Sequence, residues 1–420
     1  MLCLRYLAPI ALGLFSLASA ADNSSTTEPI PPSLDPWYTA PHGWKCKPAG
    51  TPLRVRPAPG NISAVVNGAA SAYNVMYRTS NSQYEPSWAV TTLLVPQTPN
   101  PKALLSYQLA YDTHHLDDSP SYTIYSGATT DVLAWELCLA SGLFINLPDY
   151  EGPTCSFGAG ITSGLATIDS IRALLSLSDE LGLAADAQYA MWGYSGGGQA
   201  SEWAAELQEA YAPEMNFAGM AIGGVPINAT SVIRDISGTP AAGLAFSALW
   251  GLTSQYPGSW DELLKRMKTE GPMNVTGWTD AVKLSTSVTG TIFANQDLSE
   301  YFTNGFAFIS ETLFSNIFYR DGTLGHTGTP KMPVYAYKAI QDEINPIAEM
   351  DEVIDRYCQD GANILYERNT IGDHAGEGLN GAYPALYWLQ SIFTGTYSSA
   401  YNATGCTIRN VTTSYSDFTS

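Results

Sequence analysis

Two periodicities of apolar residues alternate along the chain. Short runs rich in β-branched and aromatic residues predict strands, and apolar residues repeated every three or four positions predict helices. The predicted strands cover residues 73–79, 88–95, 103–111, 143–147, 188–192, 333–340 and 363–369, the first two forming a hairpin. The predicted helices cover residues 127–141, 168–181, 199–212 and 380–393. Strands that alternate with helices predict right-handed βαβ units, and therefore an α/β fold with a mostly parallel sheet flanked by helices.

The alternation stops after residue 227. Residues 228–330 contain helical stretches and many glycines but no clear strand pattern. We therefore expect an α/β core in two parts, residues 21–227 and 331–420, with an α-rich cap of residues 228–330 inserted between them. Residues 21–60 are rich in Pro, Ser, Thr and Ala and predict an irregular arm on the body.

Residues 1–20 have the pattern of a secretory signal peptide. Arg5 precedes an apolar run, residues 6–17, that is too short to span a bilayer, and Ala18-Ser19-Ala20 is a cleavage signal. No later apolar run is long enough to cross a membrane. We expect a secreted, extracellular monomer without a transmembrane segment.

If the chain is exported, its Asn-x-Ser/Thr sequons and its cysteines can be interpreted as glycosylation sites and disulfide partners. Asn-x-Ser/Thr sequons predict exposed glycosylation sites at Asn23, Asn61, Asn228, Asn274, Asn402 and Asn410. Removal of Cys3 with the signal peptide leaves five cysteines, so at most two disulfides form and one thiol stays free. The chain has no C-x-x-C pair and no Cys/His cluster at zinc spacing, and we expect no metal.

Composition excludes several classes of protein and partner. Hydrophobic residues make up 45% of the 420 residues and charged residues 14%, which excludes a disordered or coiled-coil protein. The net charge of −20 disfavours nucleic acid, polyanionic substrates and anionic membrane surfaces. A neutral or weakly polar substrate remains compatible with it.

The segment around Ser195 carries the strongest chemical signal. Gly193-Tyr194-Ser195-Gly196-Gly197 matches G-x-S-x-G and lies between a predicted strand and a predicted helix, as a nucleophile elbow requires. Glycines at 193 and 197 allow the chain to reverse sharply, and the hydroxyl then stands clear of the sheet. The N–H of Gly196 points at the same place, with the helix dipole behind it. The alternative is a glycine-rich turn with a solvent-exposed serine.

A serine nucleophile needs a base and an orienting carboxylate. In a fold with this strand–elbow–helix arrangement they follow it in the order Ser, acid, His, on loops after successive strands. Of the five histidines, His374 alone follows a late strand, in IGDHAGEG; His42 lies in the arm, His114 and His115 precede the serine, and His326 lies in the cap. The alternative interpretation is that His374 is an ordinary histidine on a surface loop.

The acid is expected at the end of the strand that comes before the strand leading to the base. Asp342 follows PVYAYKAI directly and is the predicted acid, with Glu343 and Asp351 as fallbacks. Asp373, next to the base, is interpreted as a loop residue.

The oxyanion hole has no HGGG motif. The third strand ends in SYQLAYDTHH, which places the backbone N–H of Asp112 beside that of Gly196. An ionised carboxylate would repel an oxyanion, so burial would have to keep Asp112 protonated; the alternative is that Asp112 caps the next turn. Asp149 and Glu151 in LPDYEGP are interpreted as residues that fix a loop.

Together, GYSGGG, AIQDE, GDH, LPDYEGP and SYQLAYD resemble the fungal secretory lipase family of the Candida antarctica lipase A type, over most of the chain after Trp37. The resemblance implies an α/β-hydrolase fold with a helical cap and the hydrolysis of carboxylic esters without a cofactor. It assigns Ser195 as nucleophile, Asp342 as acid, His374 as base, and Asp112 with Gly196 as the oxyanion pair.

The same resemblance implies a disulfide between Cys358 and Cys406. Cys46, Cys138 and Cys155 then hold one pair and a free thiol, or no pair. The family also includes fungal esterases that act on natural products, such as trichothecene esterases, and the arm fits either subgroup.

The leading hypothesis is therefore a secreted serine ester hydrolase of the triacylglycerol lipase type, acting on a neutral ester in solution or at a lipid–water interface. An esterase that deacetylates a trichothecene-like metabolite is the alternative. A serine peptidase on the same fold and a non-catalytic binding module are weaker hypotheses. Five cap phenylalanines, at 302, 306, 308, 314 and 318, either line an acyl tunnel or form plain core.

Overall fold

The computed structural model describes residues 28–126 and 131–419. The predicted signal peptide, the sequon at Asn23 and the first residues of the helix predicted from residue 127 lie outside these ranges.

A single twisted sheet forms the centre of the fold. Within the described residues it has ten strands in the order β1-β2-β3-β5-β4-β6-β7-β8-β9-β10. The strands are β1 Pro52–Pro57, β2 Ala69–Ser80, β3 Pro86–Pro96, β4 Ala103–Gln108, β5 Phe144–Pro148, β6 Gln188–Tyr194, β7 Met220–Gly223, β8 Val334–Ala339, β9 Ile364–Asn369 and β10 Cys406–Val411. The pairs from β5 through β10 are parallel, and β1, β2 and β3 add an antiparallel edge. The predicted hairpin and the predicted mostly parallel sheet are both present.

Helices connect the strands and cover both faces of the sheet. The α-helices are α1 Pro120–Thr123, α2 Val132–Ala140, α3 Gly160–Ser176, α4 Ser178–Leu181, α5 Gly196–Tyr211, α6 Ala229–Ile236, α7 Ala242–Ser254, α8 Ser259–Leu264, α9 Val275–Ala281, α10 Thr286–Phe293, α11 Thr312–Gly322, α12 Ile347–Gln359, α13 His374–Asn380, α14 Ala382–Phe393 and α15 Tyr397–Ala400. Short 3₁₀ turns lie at Pro36–Tyr38, Trp44–Cys46, Ile62–Ala64, Leu116–Asp118, Ile124–Ser126, Gly152–Thr154, Leu298–Tyr301, Gly305–Ser310 and Tyr415–Asp417.

Every residue of β4, β5 and β8 is buried, because helices lie over both of their faces. On one face α3, α5 and α12 pack around Trp203. On the other, α2 and α14 pack around Trp135 and Trp388. Parallel strands covered in this way direct their carboxyl ends to one edge of the sheet, where the connecting loops meet.

Residues 228–330 form six α-helices, α6 to α11, and 3₁₀ turns, with no strand assigned there. We refer to this stretch as the cap segment. Its helices enclose a core of their own, built around Phe246, Trp278 and Phe293. Phe302, Phe308, Phe314 and Phe318 are buried in the same core, with Phe306 packed against it. The plain-core alternative for these phenylalanines is therefore the one observed.

Three strands were missed by the sequence pattern. β1 falls inside the predicted irregular arm, and its Arg and Pro residues are tolerated because it is an edge strand paired only with β2. β10 is the opposite edge, and its side chains are half-buried or exposed, so it lacks an apolar signature. β7 is only four residues long, which is too short for a periodicity to appear.

The structure shows which of the described cysteines are paired. Cys358 and Cys406 form a disulfide that ties the end of α12 to β10. Cys138 and Cys155 are buried free thiols, so neither pairs with Cys46.

The sequons at Asn61, Asn402 and Asn410 are exposed. Asn228 and Asn274 are half-buried, and so less exposed than these three. Their side chains accept hydrogen bonds from Thr230 N and Gly277 N, and so cap the first turns of α6 and α9.

Among the helices in the described ranges, none combines the length and the apolar character needed to cross a bilayer.

Candidate active site

Ser195 lies at the sharp turn between β6 and α5. Its backbone has φ 54° and ψ −126°, a conformation that costs a residue with a side chain roughly 1–3 kcal/mol. A Cβ atom at Gly193 would lie 2.2 Å from the carbonyl oxygen of Gly197, and one at Gly197 would lie 1.8 Å from the carbonyl oxygen of Gln108. Only glycine fits at either position, so the G-x-S-x-G pattern is what this turn requires.

A chain of hydrogen bonds joins Ser195 to two side chains that are remote in the sequence. Ser195 Oγ lies 2.9 Å from His374 Nε2, and His374 Nδ1 lies 2.9 Å from Asp342 Oδ2. A carboxylate only accepts hydrogen bonds, so the resting imidazole carries its proton on Nδ1 and accepts the serine hydroxyl proton on Nε2. The three side chains leave the carboxyl ends of β6, β8 and β9, which are neighbours at one edge of the sheet once β7 is included.

The Asp342 carboxylate is fully supplied with donors. Its Oδ1 accepts hydrogen bonds from Ile344 N at 3.0 Å and Asn345 N at 2.8 Å, and its Oδ2 accepts from Lys338 Nζ at 2.8 Å as well as from His374. Burial opposes ionisation, but the hydrogen bond from His374 and the charge of Lys338 outweigh it and lower the pKa of Asp342 to about 2. Asp342 is therefore ionised at any pH at which an ester hydrolase would work.

Hydrogen bonds made by the backbone of His374 hold this residue in place. His374 is the first residue of α13, its N–H donates to Glu343 Oε2 at 2.9 Å, and its carbonyl oxygen accepts from Tyr194 OH at 2.6 Å. Asp373 is the N-cap of the same helix and accepts from Gly376 N. The fallback acid Glu343 and the neighbouring Asp373 thus hold the loop of the base, as the loop interpretation of Asp373 requires.

The remaining candidates lie elsewhere. The other fallback acid, Asp351 on α12, forms an ion pair with Arg368 at 3.1 Å and has no hydrogen bond to His374. His326 Nε2 contacts the carbonyl oxygen of Tyr319 inside the cap segment. His114 is buried between Ser247 and the carbonyl oxygen of Leu284, at 3.0 Å from each.

Asp112 lies in the loop after β4 and faces the start of α5. Its φ of 46° is in the left-handed region, and its Oδ1 is out of contact with solvent and has no hydrogen-bond partner among the described residues. Burial raises the pKa of Asp112 to about 7, and the positive charge of a protonated His374 would oppose that shift. Oδ1 of Asp112 accepts no hydrogen bond from the following turn, and the raised pKa favours a neutral carboxyl group beside Gly196.

Two buried acidic residues hold the segment that runs from Asp112 to the start of α1. Glu151 Oε2 accepts from Thr113 N at 3.0 Å, and Asp149 accepts from the backbone N–H and the hydroxyl of Ser121 at 2.9 and 2.5 Å. Burial raises the pKa of Asp149 to about 7 and that of Glu151 well above its usual range. Both residues fix loops, as the sequence suggested.

The cap segment closes over the site and leaves a narrow apolar cavity beside Ser195. Its volume is about 30 Å³. The cavity is lined by residues from α6, α7, the elbow and the start of α5, and from four core loops: Asp112, Phe157, Gly158, Ser195, Gln199, Pro226, Ala229, Val232, Ile233, Ile236, Leu244, Ala245, Ala248, Ile344 and Asn345. None of the five predicted cap phenylalanines is among them. Thr286 in the cap segment donates its N–H to Asp118 at 2.7 Å, which joins the cap to the loop of Asp112.

Sequence reasoning missed two parts of the site. Lys338 is a lysine within a strand whose residues are all buried, and such a residue is a signal in itself because lysine is almost never fully buried unless it is paired. The lining from α6 and α7 had no signal, since apolar helix residues look alike whether they pack or line a cavity. In residues 28–126 and 131–419, no group of three or more His, Cys, Asp or Glu side chains is arranged to hold a metal ion.

Comparison with known proteins places this geometry in a family. A family model described as "Secretory lipase" matches residues 119–400. The trichothecene C-3 esterase of Fusarium sporotrichioides is 42% identical, over 96% of this chain and 91% of its own length. Lipase A of Arthroderma benhamiae is 32% identical, over 94% of this chain and 86% of its own length.

The solved structures give the same result for the fold. Candida antarctica lipase A in its closed state matches with a TM-score of 0.80 at 27% identity, over 87% of each chain. The α/β-hydrolase fold predicted from the sequence is confirmed.

Proposed function

This chain belongs to the secretory lipase family of carboxylic ester hydrolases, and we propose that it cleaves esters through an acyl-enzyme intermediate formed on Ser195. The observation that carries the proposal is the unbroken chain of hydrogen bonds from the Ser195 hydroxyl through His374 to Asp342. A serine hydroxyl is a weak nucleophile until a neighbouring base removes its proton, and this chain supplies the base and its orienting carboxylate.

In the acylation half, Ser195 Oγ attacks the ester carbonyl carbon while its proton passes to His374 Nε2. Asp342 stays ionised and stabilises the imidazolium through its bond to Nδ1. The tetrahedral intermediate then breaks its bond to the alcohol oxygen, which takes the proton from His374. The alcohol leaves, and the acyl group remains on Ser195.

In the deacylation half, water repeats these steps with the acyl group on Ser195. It attacks the acyl carbonyl carbon while His374 takes one of its protons, and the bond to Ser195 Oγ breaks as that proton returns to the serine. A carboxylic acid is released. No cofactor takes part in either half.

The oxyanion of both tetrahedral intermediates needs donors. We assign this role to the backbone N–H groups of Asp112 and Gly196, the second of which benefits from the dipole of α5. The raised pKa of Asp112 supports the assignment, because a neutral carboxyl group does not repel the developing negative charge.

The preferred substrate, on this proposal, is a short-chain ester of a bulky neutral alcohol. A cavity of about 30 Å³ beside Ser195 suits an acetyl group and is too small for a fatty acyl chain. The similarity to a trichothecene C-3 esterase supports a hydroxylated fungal terpenoid as the alcohol. The choice differs from the ranking that the sequence alone favoured, in which a fat-degrading lipase came first.

A triacylglycerol lipase is the second candidate, and the likeness to Candida antarctica lipase A in its closed state favours it. A long acyl chain would require the cap segment to move away from Ser195, and α6 and α7 would have to separate from the core loops that complete the cavity. Secretion, glycosylation and a monomeric state belong to either proposal.

The test is a hydrolysis profile with acetyl, butyryl, octanoyl and palmitoyl p-nitrophenyl esters, an acetylated trichothecene and emulsified triolein. We expect acetyl esters to be preferred, and S195A to lower kcat by about 10³-fold or more while keeping the fold. S176A, at an exposed serine on α3, is the matched control. Full activity in S195A would reject the acyl-enzyme, and a preference for palmitoyl esters and triolein would select the lipase.

Secretion is tested separately. The protein recovered from the medium of a fungal host should begin near Ala21, lose mass on treatment with an endoglycosidase and elute as a monomer in light-scattering chromatography. Retention of residues 1–20 would contradict export by signal cleavage.

A further inference from the structure

Lys338 is a fully buried cation beside the candidate acid. It lies near the end of β8, its exposed fraction is 0%, and its Nζ lies 2.8 Å from Asp342 Oδ2. Burying an ammonium group is costly unless a partner compensates for it. A lysine kept in this position, four residues before the acid, therefore calls for an explanation beyond packing.

The carboxylate does not need Lys338 in order to be held in place. Ile344 N and Asn345 N fix one oxygen of Asp342, and His374 Nδ1 donates to the other. Lys338 adds a second donor to Oδ2 of Asp342, which already accepts the hydrogen bond from His374 Nδ1. What the lysine contributes beyond these three hydrogen bonds is a positive charge next to the Asp342–His374 pair.

Several ionisable groups face the two ends of this arrangement. Around Lys338 they are Asp342 on the loop after β8, Glu349 and Asp351 on α12, Glu202 on α5 and Glu377 on α13. Around His374 they are Asp342, Asp112, Glu343 and Asp373. Burial lowers the pKa of Lys338, and the charge of Asp342 opposes that shift, while burial raises the pKa of Glu202 and of Glu377 to about 8. Asp342 is the one carboxylate of the set in direct hydrogen-bond contact with Lys338.

We propose that Lys338 is a positioning residue that extends the reaction to acidic pH by disfavouring proton uptake on His374 in the resting enzyme. The inference rests on the proposed function, because it assumes that neutral His374 is the base that activates Ser195.

The physical argument compares charges before and after His374 takes a proton. Without Lys338, a protonated His374 and the Asp342 carboxylate form a neutral ion pair, which favours the proton. With Lys338 present, the same event leaves a net positive charge in a buried place, which disfavours it. Neutral His374 then persists at a lower pH, and the enzyme keeps its base in acidic surroundings.

Three variants of Lys338 separate charge from hydrogen bonding and from packing. K338M removes both the charge and the donor, K338Q removes the charge and keeps a donor, and K338R keeps the charge. K331M is the matched control, because Lys331 is an exposed lysine paired with Glu209 on the surface, and its removal changes the net charge equally.

The readout is kcat/KM for p-nitrophenyl acetate between about pH 4 and about pH 9 at constant ionic strength, with each curve normalised to its maximum. We expect the acid limb of K338M and of K338Q to move upward by roughly one to three pH units, the usual effect of one nearby charge. K338R and K331M should keep the acid limb of the unmodified enzyme.

Folding of each variant is checked by near-UV circular dichroism and thermal unfolding. An unshifted acid limb in a folded neutral variant would overturn the inference, and so would failure of both neutral variants to fold, which would assign Lys338 to the structure alone. A shift in K338M but not in K338Q would also overturn it, because the hydrogen bond and not the charge would then be responsible. Loss of the proposed function is a separate result, seen as activity of the unmodified enzyme that survives S195A.

Discussion

The carboxyl group of Asp112 lies against the backbone of Gly196: a Cβ atom added to Gly196 would lie 2.0 Å from Asp112 Oδ1. The two residues come from different loops, one after β4 and one after β6, and adjoin because those strands are paired in the sheet. Asp112 and the adjacent Ser195 both have positive φ values, 46° and 54°. Two strained turns thus face each other across the place where the oxyanion would form.

Substitution of Gly196 by alanine should therefore disrupt the oxyanion site with little effect on the fold. The methyl group displaces Asp112, and loss of one oxyanion donor typically costs about 10²–10³-fold in kcat. Steady-state hydrolysis of p-nitrophenyl acetate measures the loss. G290A is the control, because a Cβ there meets no atom within 4 Å. A G196A enzyme as active as G290A would show that Asp112 and Gly196 do not form the hole.

The ionisation of Asp112 predicts an alkaline limit to activity. Its pKa of about 7 means that the carboxyl group is neutral below that pH and negatively charged above it. Activity should fall as the pH rises through about 7, and D112N, which cannot ionise, should lack that decline. The pH profile of kcat/KM makes the comparison, with D179N at an exposed site as control. An identical alkaline limb in D112N would assign it to another group.

Because Glu202 is buried, the free energy of unfolding is expected to depend on pH. Burial raises the pKa of Glu202 from 4.5 to about 8, so the folded state holds its proton more tightly than the unfolded state does. The stability this proton provides is fully present below about pH 4.5 and is lost as the pH rises through about 8, by at most about 1.4 kcal/mol per pH unit.

E202Q should consequently become more stable than the unmodified protein as the pH rises across that window, and thermal unfolding at a series of pH values measures the difference. E209Q on the same helix is the control, since Glu209 is exposed. A constant difference in stability between E202Q and the unmodified protein at all pH values would contradict the prediction.

The cavity beside Ser195 predicts the acyl preference of a variant. Ala248 on α7 lines the cavity, and its Cβ lies 3.6 Å from where a Cβ of Gly158 would be. Leucine at 248 should fill the space that an acyl chain uses, and one methylene in such a pocket is worth about 10-fold or more in kcat/KM. The ratio of butyryl to acetyl ester hydrolysis should fall by about that factor in A248L. A348L, at an exposed site on α12, should leave the ratio unchanged; an unchanged ratio in A248L would place the acyl group elsewhere.

Features that depend on local backbone chemistry could be predicted from the amino-acid sequence. The elbow at Ser195 was predictable because only glycine fits at 193 and 197. The buried parallel strands were predictable because their apolar runs are bounded by turns. The positions of Asp342 and His374 followed from the rule that such residues follow successive late strands.

Features that arise from contacts between remote segments could not be predicted in this way and became apparent in the folded molecule. β1 and β10 are strands because each forms backbone hydrogen bonds with one neighbouring strand, β2 and β9 respectively. β7 is a strand because it pairs with β6 on one side and β8 on the other. The width of the cavity beside Ser195 follows from how α6 and α7 lie on the core. Lys338 becomes relevant only because folding brings it to Asp342 in a buried place. Each of these depends on distances across the fold, which the spacing of residues along the chain does not encode.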